Sequence, residues 1–142
     1  GGSQRHPHSQ IIGLDTYDYK DNIDRENFLG PIVHEDQDCY ATVSDYPISG
    51  MGEMNVTLKK DASPEKFADT IQTLARYVLN DFPLPCTSYN IFFYHFKHIR
   101  AKIFPRYTAS PLYMGYHITH VMDHESQKRM LEKLHTGTYF GE

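Results

Sequence analysis

The stretch from Ser63 to Pro85 constrains the fold more than any other part of the sequence. Ser63 stands where a hydroxyl can accept from the orphan N–H groups that begin a helix, and Pro64 takes the first helical position, where its missing N–H costs nothing. Behind them Phe67, Ile71, Leu74, Ala75, Val78 and Phe82 recur at helical spacing and make one apolar stripe, until Pro83 and Pro85 stop the pattern. Such a stripe must be buried against something, and strand-like segments flank it. Upstream, Pro31 to Pro47 mixes β-branched and aromatic residues with turn residues, and Met54-Asn55-Val56-Thr57-Leu58 follows. Two antiparallel strands joined near Pro47 to Gly52 are expected there. Downstream, Tyr89 to His95, Ile99 to Pro105 and Gly115 to Val121 read as strands, and a second helical pattern from Glu125 to Leu134 puts Met130, Leu131 and Leu134 on one side. Strands, one long helix, then more strands predict an α+β fold: an antiparallel sheet with the helix on one face, not a doubly wound parallel sheet.

The 142 residues suit one ordinary domain. A net charge of -4 gives no reason to expect a nucleic-acid partner, so any phosphate must be bound locally. Cys39 and Cys86 lack the C-x-x-C spacing of a cysteine zinc site and are too few for a disulfide framework, which points to reduced thiols and a cytoplasmic location. With no apolar run of about 18 residues, no membrane span is expected. The polar, Asp-rich stretch from Asp15 to Glu26 reads as a linker or surface loop.

The chemistry concentrates in His6-Pro7-His8-Ser9-Gln10. On an extended strand, residues two apart share a face, so His6, His8 and Gln10 converge while Pro7 and Ser9 point away. A neutral imidazole is a competent nucleophile near pH 7, and a neighbouring group can set its tautomer. The Gln10 amide can donate to a phosphoryl oxygen as charge builds there. The set therefore suits attack on phosphorus. An exposed histidine pair without function, or an incidental metal site, has the same spacing.

His6-Pro7-His8-Ser9-Gln10-Ile11 resembles the His-Pro-His-x-Gln motif of galactose-1-phosphate uridylyltransferases and their relatives in the histidine-triad superfamily. Tyr94-His95, then Ala101-Lys102-Ile103-Phe104-Pro105-Arg106, then Met114-Gly115-Tyr116 resemble segments of that enzyme's second half, and little-characterised bacterial relatives look closer still. The resemblance implies that His8 takes up a nucleoside monophosphoryl group, that Gln10 binds its oxygens, and that His6 holds the nucleophile or ligates zinc in a longer protein. No cofactor is required by this chemistry, and a nucleotide, nucleotide-sugar or sugar phosphate is the implied partner. It also implies that residues 1–14 are the active-site strand of a preceding half-domain, residues 15–29 a linker, and residues 30–142 a second, histidine-triad-like domain. A homodimer or a complementing N-terminal half would then complete the site. The alternative is an inactive domain that binds nucleotides or sugar phosphates or serves dimerisation.

Where the transferases carry a His-x-His metal pair, this chain reads Arg100-Ala101-Lys102, so that metal site is expected to be lost. By alternation His98, Arg100 and Lys102 share a face. That face is either a cationic strip holding the phosphate end of a substrate, with Ser9 assisting at the phosphoryl group, or an ordinary solvated strand face. His95 with His98, and His117 with His120, are three apart and fall on opposite strand faces, which suits chelation poorly. The aromatic run Tyr89, Phe92, Phe93, Tyr94 and Phe96 is expected to be sheet core.

Overall fold

A computed structural model describes residues 18–107 and 121–140, together with Ile11 and Asp15. The expected N-terminal strand through His6, His8 and Gln10, and all of the expected strand from Gly115 to Val121 except Val121, lie outside the described residues; Val121 itself is exposed and not in a strand. Two short 3-10 turns, Tyr19–Asp21 and Arg25–Phe28, lead into strands β1 (Ile32–Glu35), β2 (Cys39–Val43) and β3 (Met54–Leu58). Helix α1 (Pro64–Asn80), strands β4 (Tyr89–His95) and β5 (Ile99–Pro105), and helix α2 (His124–Thr136) follow. The strands form an antiparallel sheet in the order β1-β2-β3-β5-β4. The architecture is α+β, with a five-stranded open sheet and two helices.

Helix α1 starts at Pro64 behind an extended Ser63, although the Ser63 hydroxyl makes no capping bond. Its buried residues include the expected Phe67, Ile71, Leu74, Ala75 and Val78. The helix ends before Pro83, and Phe82 reaches the core from beyond its end. Helix α2 is capped by Asp123, whose side chain accepts from the Ser126 N–H, and it buries Met130 and Leu134. Both helices close the same core, over Val33, Ala41, Val43, Met54, Val56 and Ile103 of the sheet.

The region from Pro31 to Pro47 holds a hairpin rather than one strand, and its turn is built on Asp36. One carboxylate oxygen accepts from the Asp38 and Cys39 N–H groups at 2.8 and 2.9 Å, and the other lies 3.0 Å from His34 Nε2. Partial burial pushes this carboxyl up, but the two N–H donors and His34 outweigh it and bring it down to about 2. A carboxyl lowered on folding adds stability that is complete above its ordinary value of 3.8 and lost as pH falls through about 2. The stability gap between the wild type and Asp36→Asn is therefore expected to close between about pH 4 and 2 in urea unfolding. A gap that stays constant across that window would contradict this account of the turn.

Tyr77 is buried against Phe82 and Tyr139, with ring centroids 6.3 and 5.7 Å away. Among the described residues its hydroxyl has no hydrogen-bond partner, and burial together with the charge of Asp81 pushes the phenol well up. Tyr77→Phe keeps the ring contacts and removes the orphan, so it should raise the unfolding free energy by about 1 kcal/mol. Destabilisation by that amount would show that the hydroxyl is satisfied.

One expectation fails at the sheet's edge. Phe92 and Phe93 are 51% and 61% exposed and Tyr89 is also exposed, while Tyr94 is buried. Among the described residues strand β4 is the last in the sheet and pairs only with β5, so its rings have described strand neighbours on one side alone.

Candidate functional site

Alternation gives the sheet two different faces. The face against the helices is apolar, whereas the far face carries rows of register partners that are largely polar. Tyr40, Thr57, Arg100 and Tyr94 form one row, and Thr42, Asn55, Lys102 and Phe92 form the next. Ser44 follows, its N–H bonded to the Glu53 carbonyl. Thr42, Ser44, Glu53, Asn55, Thr57, Arg100 and Lys102 are all buried.

The segment from Tyr19 to Phe28 is what covers them. Asn27 Oδ1 accepts from the Asp24 N–H and its amide donates to the Tyr46 carbonyl, which pins the second 3-10 turn. Phe28 and Tyr19 then meet Tyr94 edge-on at 5.1 Å each. The polar stretch expected to be a linker thus supplies the lid of the far face.

Lys102 is completely buried under this lid. Its ammonium donates to the Asn27 carbonyl at 2.6 Å and to Ser44 Oγ at 2.8 Å, and it lies 3.0 Å from Glu53 Oε1. Three donors have three partners, and Phe28 adds a ring 5.0 Å from the charge. Burial pushes the ammonium down from its usual range, and Glu53 pulls it partly back. Glu53 in turn accepts from the N–H groups of Ile48, Ser49 and Gly50 at 2.8, 2.5 and 3.1 Å. The loop from Ser44 to Glu53 is therefore wrapped around one buried carboxylate. Gly52 turns that loop with φ +91, and a Cβ there would run into the Phe82 ring.

These contacts correct the cationic-strip expectation for Lys102 and the solvated-face alternative together. Lys102 is sealed off, because its partner carboxylate comes from 49 positions upstream in the chain rather than from a ligand. Arg100 differs. It is 6% exposed, its guanidinium sits 5.6 Å over the Phe28 ring, and among the described residues it makes no hydrogen bond or ion pair. Sequence reading missed Glu53, Asn55 and Thr57 as members of this site. The available signal was the outward face of β3 itself: Asn55 and Thr57, short polar side chains without charge, suit a polar face that is covered.

Asn55 donates to Ser44 Oγ, Thr42 Oγ1 and the Phe28 carbonyl at 2.9, 3.1 and 3.3 Å, and its own Oδ1 has no partner among the described residues. Among the described residues no cluster of three or more His, Cys, Asp or Glu side chains is placed to hold a metal. The positions matching the transferases' metal pair are two cations, one of them ion-paired to Glu53, so they do not fit that metal. His6, His8, Ser9 and Gln10 lie outside the described residues.

From residue 20 to residue 140 the sequence matches the domain of unknown function DUF4931, C-terminal domain. The chain belongs to the DUF4931 family. It is also similar to a DUF4931 family protein from Bacillus cereus ATCC 10987, whose crystal structure aligns with a TM-score of 0.71 at 40% sequence identity. That alignment covers 96% of this chain and 64% of the Bacillus protein, so the chain spans under two thirds of that relative's length. No curated protein matches the chain. No helix among the described residues of this DUF4931 domain is long and apolar enough to cross a membrane.

Proposed function

We propose that this DUF4931 chain belongs to an enzyme that transfers or hydrolyses a nucleotidyl group through a covalent nucleotidyl-histidine on His8. The carrying observation is the spacing of His6, His8 and Gln10 in the sequence, the spacing at which an extended segment presents two imidazoles and an amide on one face. A five-stranded antiparallel sheet with its helices on one side supports reading the fold as histidine-triad-like.

In this reading a neutral His8 nitrogen attacks the α-phosphorus of a nucleotide or nucleotide-sugar. The P–N bond forms as the P–O bond to the leaving phosphate breaks, and that phosphate departs with the electron pair. Gln10 donates its amide N–H to a non-bridging oxygen where charge develops, and Ser9 assists at the phosphoryl group. His6 fixes the orientation of His8. A phosphate acceptor or water then attacks the same phosphorus, which returns His8 to neutral imidazole. The protein should therefore form nucleoside monophosphate, or a new nucleotide-sugar, when offered UDP-sugars and dinucleotide polyphosphates, and His8→Asn should not. Equal turnover by the wild type and His8→Asn would end this reading.

A second reading is favoured by the β4 edge, where Tyr89, Phe92 and Phe93 stand exposed on a strand without a charged residue. Here the domain pairs with a second copy or with a preceding half-domain and performs no chemistry. Dimerisation abolished by Phe92→Lys, with no turnover in any preparation, is the outcome that favours it.

A further inference from the structure

The far face of the sheet ends beyond the Lys102 network in a cavity of about 170 Å³ lined by Tyr40, Thr57, Leu58, Lys59, Lys60 and His98. The lining carries two lysines and a histidine and no carboxylate. Lys59 is engaged, since its ammonium lies 2.9 Å from Glu35 Oε1 and donates to the Asp36 carbonyl at 2.6 Å. Lys60 is exposed at the mouth and has no ion pair among the described residues.

Two largely buried side chains beside the lining make no hydrogen bond or ion pair among the described residues. Thr57 is 3% exposed, and among the described residues its hydroxyl makes no hydrogen bond. Arg100 is Thr57's register partner on β5 and shares its face, with the guanidinium unmatched by any anion among the described residues. The Phe28 ring offsets part of the cost of taking the Arg100 guanidinium largely out of water, and an anion nearby would offset more. The cavity's size narrows what can supply the missing charge. Pockets for drug-sized ligands run from about 300 to 1,000 Å³. A cavity of about 170 Å³ is too small for a nucleoside and large enough for one tetrahedral anion.

We propose that this cavity binds a phosphoryl group. Thr57 and Lys60 donate to its oxygens, His98 and Tyr40 close its sides, and Arg100 supplies positive charge from the adjacent buried position. The site uses neither His6, His8, Ser9 nor Gln10, so its failure and the failure of the His8 reading are distinguishable. Its ligand is either inorganic phosphate or the phosphate end of an organic monoester.

The test is calorimetric and NMR titration of the chain with inorganic phosphate and with ribose 5-phosphate, against chloride at matched ionic strength. Saturable binding with Kd on the order of 1 mM or tighter is expected. Lys60→Gln, Thr57→Val and His98→Asn should each weaken it by about tenfold, and Lys66→Gln, on the exposed side of α1, should leave it unchanged. Because Lys60 is exposed, its variant reads binding without disturbing the core. Tighter binding of ribose 5-phosphate identifies the monoester as the ligand, and equal binding identifies the free anion. Absence of saturation up to about 50 mM, or wild-type affinity in both Lys60→Gln and Thr57→Val, would overturn the proposal.

Discussion

Replacing Lys102 with methionine is expected to lower the unfolding free energy by about 3–5 kcal/mol. The variant keeps the alkyl bulk under Phe28 but leaves Glu53 as a buried carboxylate without its cation, and strips donors from Ser44 and the Asn27 carbonyl. The three loop N–H groups on Glu53 remain, which places the expected loss toward the lower end of that range. Adding Glu53→Gln to Lys102→Met removes the uncompensated charge. The double variant should therefore be more stable than Lys102→Met alone by about 1–2 kcal/mol, a coupling readable in urea unfolding. A solvent-facing lysine would behave differently, since surface substitutions usually fall within about 0.5 kcal/mol of zero. A loss that small for Lys102→Met would contradict the buried network.

The other large effect is catalytic. His8→Asn is expected to cut turnover on the order of 10³-fold or more, because no neighbouring group can replace the attacking nitrogen. Gln10→Ala should cost about 10²-fold to 10³-fold, the loss typical of one donor aimed at developing phosphoryl charge. In this account the His8 side chain serves chemistry rather than packing, so the thermal unfolding of His8→Asn should match that of the wild type. Turnover that survives His8→Asn, or falls only in step with stability, would assign the chemistry elsewhere.

Local sequence signals were strongest where one element determines its own limits. Pro64 and the prolines after Asn80 bracket α1, and the strand-like segments Met54–Leu58, Tyr89–His95 and Ile99–Pro105 match strands with those bounds. Strand order has no such local signature. The exposure of Phe92 and Phe93 follows from β4 ending the sheet, which depends on pairing among five segments. Lys102 fails for a related reason: a lysine beside Arg100 in an alternating strand looks solvated until Glu53 and the Asn27–Phe28 turn are brought onto it by tertiary structure. The Asp-rich segment looked like a linker because its charges face outward, while Asn27 and Phe28 do the covering. The candidate site was thus legible as a set of residue types and not as a set of contacts. His6, His8 and Gln10 rest on strand alternation alone, outside the described residues.

That leaves the covalent step as the most direct test of the account. The protein should be mixed with a nucleotide-sugar, quenched within milliseconds to seconds, digested under alkaline conditions that preserve P–N bonds, and its peptides weighed. The account predicts a nucleoside monophosphate adduct on the peptide containing His8, labile to mild acid and absent from His8→Asn. An adduct on another residue, or turnover with no adduct at any time point, would contradict it.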